Sequence, residues 1–350
     1  MKKFLSALLA AMLVISASTT AFGATKSDAD KKISSSFAYL SEDAGENGYT
    51  VEKNLKDFYY LTLAGADVSA YKDAFLSSVK SALDENTLNT ADTAVLVIGA
   101  MLNMGMDTAD FEGYNLTKLL QDFSPEECSN PYSLAYGAAV FTKLNDNETA
   151  KLYAQKLSEY YEIGKGTDFW NGYGTSPDDL SITIVGLSYM KNDYIDIIND
   201  AFALLETYYT DGGYSNYGAN ADSTAFALAA YSAMGNKEKA DSIYDILITN
   251  FFDCETGGFK AEYDPYYSTA DAIFGLAYYK LIADEDKQTE ETTKPADNTA
   301  GTSSNNKNNS NEAKENTSKK SPATGASTAA FALFAISAAG IAVLKKKEKN

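Results

Sequence analysis

The chain has 350 residues, 48 Asp and Glu against 29 Lys, no Arg, no His and a formal charge of −19. Without an imidazole, Ser-His-Asp and Cys-His catalysis and most catalytic zinc sites are excluded. Without clustered cations, nucleic acid is not an expected partner.

Residues 1–24 read as a secretion signal. Lys2 and Lys3 precede an apolar run from Phe4 to Ile15, and the small residues around Ala21-Phe22-Gly23-Ala24 place the cut near residue 23 or 24. The run is short for an ordinary membrane span.

Residues 25–285 form the globular part, with 17 Lys against 41 Asp and Glu. A repeat runs through it. Asp92 to Gly99 and Gly105 matches Asp222 to Ala229 and Gly235 at equal offsets, and the same frame fits Asn130 with Gly137, Asp179 with Gly186, Ser268 with Gly275 and, more loosely, Glu52 with Tyr59 and Gly65. Each unit opens on a capping residue or turn and continues as an Ala- and Gly-rich apolar helix without a polar face, which must be buried nearly all round. Between these units lie one-sided helices. Ala240, Ile243, Tyr244, Leu247 and Phe251 recur at helical spacing, as do Tyr71, Ala74, Phe75, Val79 and Leu83, and Ala150, Tyr153, Ala154 and Leu157. The expectation is an all-α fold: an α/α toroid of six helical hairpins, with a parallel inner ring and an outer ring antiparallel to it. An open solenoid of the TPR kind is the rival, although its usual period is shorter.

The phrases Asp211-Gly212-Gly213-Tyr214 before Asp222-Ser223-Thr224-Ala225, and Gly257-Gly258-Phe259 before Ser268-Thr269-Ala270, resemble the Gly-Gly-aromatic repeats of the prenyltransferase and squalene-cyclase superfamily. The resemblance is partial at Phe169-Trp170-Asn171-Gly172-Tyr173-Gly174 and weak before residue 90. It implies the toroid, which the superfamily shares with cobalamin carriers and complement thioester domains. It does not bring the chemistry with it. The prenyltransferase zinc set of Asp, Cys and His finds Asp253-Cys254 but no His, and the thioester sequence Cys-Gly-Glu-Gln is absent. The second domain of a cobalamin carrier is not seen after residue 285. Ser176-Pro177-Asp178-Asp179 matches three of the four positions of the cyclase acid motif, which makes Asp178 and Asp179 weak catalytic candidates; a helix cap by either explains them equally well.

No cofactor and no metal are expected, although Asp211, Asn216, Asn220 and Asp222 would suit calcium in type. The loops leading into the last three apolar helices carry aromatic rings beside carboxylates and amides, a mixture suited to sugars, cations or peptides. Trp170, Tyr173, Tyr217, Asp222, Tyr263, Asp264, Tyr266 and Tyr267 are the candidate ligand-binding residues, whereas Tyr214 and Phe259 read as packed turn residues. Cys128 and Cys254 fall in units three and six and are expected as free thiols, Cys254 as a small, partly buried side chain beside a turn.

Residues 286–320 are Thr, Asn, Lys, Glu and Ser with almost no large apolar side chain, a composition that reads as a disordered stalk. Residues 321–350 combine Ser321-Pro322-Ala323-Thr324-Gly325, an apolar segment 329–344 and a terminal Lys cluster. This three-part layout resembles the sorting signal of Gram-positive surface proteins, with Ser321 in place of the usual Leu. The resemblance implies sortase cleavage between Thr324 and Gly325 and attachment to peptidoglycan; a plain membrane anchor is the alternative. The expected function is a cell-wall-anchored, non-enzymatic binding or adhesion module with an extracellular ligand, whether glycan, peptide or cationic small molecule. A hydrolytic or carbohydrate-active enzyme using carboxylates at the toroid mouth, and a structural spacer, are the alternatives.

Overall fold

The computed structural model describes residues 23–45, 48–165, 176–261 and 263–285. Trp170, Tyr173 and most of the expected signal, together with the expected stalk and sorting signal, lie outside the described residues. The fold is all-α, with twelve helices among the described residues: α1 (Lys26–Ala44), α2 (Leu55–Leu63), α3 (Ser69–Asp84), α4 (Ala91–Asn103), α5 (Leu116–Gln121), α6 (Pro131–Lys143), α7 (Asn147–Gly164), α8 (Pro177–Ser188), α9 (Lys191–Leu205), α10 (Ala221–Ala233), α11 (Lys237–Phe251) and α12 (Pro265–Lys280). A small antiparallel hairpin, β1 (Tyr209–Thr210) with β2 (Gly213–Tyr214), precedes α10. None of these helices is long and apolar enough to cross a membrane.

The even-numbered helices are the apolar ones. Thr90, Asn130, Ser176, Asn220 and Asp264 cap five of them, each side chain accepting a first-turn backbone N–H. Gly65, Gly105 and Gly235, at φ near +70°, follow the ends of α2, α4 and α10, where a left-handed residue closes the last turn. These helices pack in chain order: α2 on α4, α4 on α6, α6 on α8, α8 on α10, α10 on α12, and α12 on α2. Between Ala221 and Ser232 in α10, only Asp222 is not buried. Such close packing needs small residues at the crossings. A Cβ on Gly275 of α12 would lie 2.5 Å from the Ala225 carbonyl oxygen of α10.

The odd-numbered helices bury one face. Ala240, Ile243, Tyr244 and Leu247 of α11 are buried as the periodicity predicts, with Phe251 only partly covered. Ala150, Tyr153, Ala154 and Leu157 of α7 are fully buried, and Phe75 of α3 packs its ring 4.3 Å from that of Phe58. The core is continuous across the described helices, which therefore carry their own hydrophobic interior.

The Gly-Gly-aromatic turns have a shared local cause. The Tyr214 amide donates to Thr224 Oγ1 at 3.0 Å, and the Phe259 amide donates to Thr269 Oγ1 at 2.9 Å. Each threonine hydroxyl in turn donates at 2.6 Å to a carbonyl one turn earlier, that of Asn220 or of Pro265. Gly213 is required by this approach, since a Cβ there would stand 2.4 Å from Thr224 Oγ1. Both rings are buried, as the structural reading of Tyr214 and Phe259 expects. Thr269→Val keeps the shape but strands the buried Phe259 amide, and is expected to cost about 1–3 kcal/mol in denaturant unfolding. No measurable loss would mean that this bond does not hold the turn.

Three expectations need correction. The repeat frame drifts, because α2 begins at Leu55 rather than near Glu52 and α12 at Pro265 rather than at Ser268. In the fourth unit the cap is Ser176, not Asp178 or Asp179, so Asp178 rather than Asp179 is the equivalent of Asp222. The cysteines are free, but Cys254 is exposed rather than partly buried; Cys128 is buried, which pushes its thiol up to about 12 and leaves it inert.

Candidate functional site

Counting two residues from each cap of the apolar helices gives Lys56, Asp92, Tyr132, Asp178, Asp222 and Tyr266. Four of these, Lys56, Tyr132, Asp178 and Asp222, come together around Asp271, which lies nearly two turns into α12. Lys56 Nζ donates to Asp271 Oδ1 at 3.0 Å and stands 5.4 Å from the centre of the Tyr60 ring. Asp271 is close enough to Asp178 and to Asp222 to raise the proton affinity of both, and Tyr132 senses Asp178, Asp179 and Asp271. Asp57, only 4% exposed, adds a further carboxylate beside Lys56.

Among the described residues this rim sets one lysine, Lys56, against the carboxyl groups of Asp57, Asp178, Asp222 and Asp271. Burial pushes Asp178 up to about 7; the Ser223 hydroxyl pulls it back, and Asp271, Asp222 and Asp179 push it further. Burial likewise raises Asp179 to about 6, against the opposing bond from Ser176. Asp222 is raised by burial, with Ser268 and Lys56 opposing, and Asp271 by burial, with Lys56 opposing. Burial would depress Lys56, but Asp271 and Asp57 more than offset it and hold the ammonium charged. Asp178 Oδ1 and Asp222 Oδ1 are both shielded from solvent without a hydrogen-bond partner. A buried oxygen in that condition is costly until a donor reaches it.

Beneath the rim the interior is filled by rings. Phe274 lies 4.8 Å from Tyr60, 5.3 Å from Phe226 and 5.1 Å from Tyr278, centre to centre, and the Tyr60 and Tyr136 hydroxyls bond to each other. The chemistry open to the rim is therefore shallow: proton exchange at Asp178 near neutral pH, and donor or cation capture by its unpaired oxygens.

The two weak catalytic candidates, Asp178 and Asp179, and the residues expected to bind a ligand divide. Asp178, Asp179 and Asp222 belong to the rim. Tyr267 is exposed beside it, its ring 6.0 Å from Lys56 Nζ. Tyr266 is half-buried on the flank of α2, where Asp57 and Tyr49 are its neighbours. Asp264 is occupied as the cap of α12. Tyr217 and Tyr263 project almost fully into solvent, 94% and 92% exposed. Trp170 and Tyr173 lie outside the described residues. Of the calcium-type set, Asn220 spends its oxygen on the Ser223 amide at 2.8 Å, away from any shared centre. Among the described residues, no group of three or more acids and cysteines is placed to hold a metal ion.

Lys56 and Tyr132 escaped the sequence reading. The signal was present, since Lys56 is the only cation in the first turns of the six apolar helices. No protein-family model matches this chain, and no curated protein matches it either.

Proposed function

We propose that this chain is an exported, wall-displayed binding module: an α/α toroid on a flexible stalk, whose helix N-terminal mouth captures a cationic, amine-bearing ligand. The cyclic order of contacts, with α12 returning to α2, supports the toroid over an open solenoid, whose end helices would not meet. The leader 1–24, the stalk 286–320 and the sorting signal 321–350 with its Thr324–Gly325 bond support display on peptidoglycan through a sortase.

One observation carries the ligand class. Asp178 and Asp222 each keep a shielded oxygen unpaired, in a cluster of carboxylates where Lys56 is the one cation among the described residues. An ammonium group satisfies both deficits at once, because it brings donors and charge together. Tyr267 and Tyr132 offer ring faces for the same cation.

The test compares glucosamine, which is charged, with N-acetylglucosamine, which has the same ring without the charge. Residues 25–285 are expected to prefer glucosamine by about tenfold or more, an advantage of about 1.4 kcal/mol. Asp178→Asn with Asp222→Asn is expected to abolish that preference. Equal affinity for the two sugars, or a preference that survives both substitutions, would remove the cation site.

The packed rings of Tyr60, Tyr136, Phe226 and Phe274 favour a second reading, a spacer domain without a small ligand. Failure of amines and Lys-containing peptides alike to bind would favour it. A hydrolase with opposed carboxylates needs room for a sugar and a water between them, which this ring-filled interior does not support.

A further inference from the structure

The start of the described chain is packed against the far end of the domain. Thr25 caps α1 and pairs with Asp284, and the Lys26 amide donates to the Asp284 carbonyl at 2.9 Å. The Tyr279 hydroxyl is shared between the Ala24 carbonyl, at 3.3 Å, and Asp241 Oδ1, at 2.7 Å. Gly23 lies directly on the Asp241 carboxylate, so close that a Cβ on it would stand 2.3 Å from Oδ2. Asp241 is well covered, its side chain 15% exposed, and Lys237 reaches it at 2.7 Å from one side. The groups facing this carboxylate are Lys237 and Asp245 on its own helix, Tyr279 on α12, and the backbone at residues 23 and 24. Asp284 sits behind Lys237 at 3.5 Å.

We infer that Asp241 is the counter-ion of the mature chain's own α-ammonium group. The inference rests on the reading of the N-terminal segment as a leader and takes the cut, placed near residue 23 or 24, to fall after Gly23. A signal peptidase hydrolyses the Gly23–Ala24 peptide bond with one water; Gly23 leaves as a carboxylate and the Ala24 nitrogen takes a proton. The neutral amide beside Asp241 thereby becomes a cation, which pairs with a carboxylate already held in place by Lys237 and Tyr279. Processing then does more than release the chain. It adds an ion pair that ties the first helix to α11 and α12, beside the point where the stalk departs after residue 285.

The α-ammonium is charged below its ordinary value of about 8. Its pairing raises that value, so the added stability is complete below the unfolded-state value and is lost as pH rises through the folded one.

The chain is prepared in two forms, one beginning at Ala24 and one with a short neutral extension before it, each with Asp241 and with Asp241→Asn. In the Ala24 form the α-amino group, titrated by the pH dependence of its reductive methylation, is expected about one unit above its value in the Asp241→Asn chain. Asp241→Asn is expected to lower the melting temperature more in the Ala24 form than in the extended form. Acetylating the α-amino group of the Ala24 form reads the same pair without altering α11, should Asp241→Asn fail to fold. An α-amino group insensitive to Asp241, or equal losses in both forms, overturns the inference. Mass analysis of the secreted protein tests the premise separately: a first residue other than Ala24 removes the processing step, while the titration still reports whether the pair can form.

Discussion

Phe274→Ala is expected to destabilise the domain by about 3–5 kcal/mol, the loss typical of a buried aromatic replaced by a methyl group. Phe274 is fully buried and is where the rings meet, touching Tyr60, Tyr136, Phe226 and Tyr278 from three other helices and its own. The surrounding side chains are held by helix backbones in close approach, as at Gly275 on Ala225, so the cavity has little freedom to collapse. Phe274→Leu keeps much of the volume and is expected to lose less than half as much. Tyr263→Ala, at the solvent surface, is expected to change stability by no more than about 0.5 kcal/mol. Urea unfolding of the three variants checks the ranking. A small effect at Phe274 would mean that the interior is not the close-packed layer described.

Asp178→Asn is expected to remove the pH dependence that this one carboxylate imposes. In the folded chain Asp178 holds its proton up to about pH 7, whereas its ordinary value is 3.8. Folding takes up a proton between those values, so stability falls as pH rises from 4 toward 7; below 4 both states are protonated and above 7 the loss is complete. An amide does not titrate. Measured against wild type, Asp178→Asn should therefore gain about 2–4 kcal/mol on moving from pH 4 to pH 8, after allowance for partial exposure. Asp179, raised to about 6, should give a smaller gain of the same sign. Parallel stability curves for wild type and Asp178→Asn would show that the carboxylate is ordinary and the rim less crowded than described.

Much of this fold was legible in the sequence because its rules are local. Capping residues, apolar runs and one-sided spacing follow from turns of a few residues, and Tyr153 and Leu157 were placed on the buried face of α7 by spacing alone. The Gly-Gly-aromatic turns were legible for the same reason, since the bonded threonine follows ten residues later in both. Register within a unit was less secure. Gly186 marks a packing contact, not a fixed distance from the helix start, so counting seven residues back from it reached Asp179 where the cap places Asp178 in line with Asp222. The rim was only half legible. Lys56 and Asp271 are 215 residues apart, and nothing local to either says that they bond. The exposed rings of Tyr217 and Tyr263 drew attention through composition, yet a loop residue's direction depends on turns that the sequence does not fix.

In the proposed function a bound cation displaces a proton from the carboxylate rim. Calorimetric titration of glucosamine into residues 25–285 at pH 6.5, repeated in buffers of different ionisation enthalpy, measures that exchange. Release of somewhat less than one proton per ligand is predicted, since Asp178 is largely protonated below about pH 7, and the release should vanish in Asp178→Asn. Binding without proton release, or release unchanged by that substitution, would contradict it.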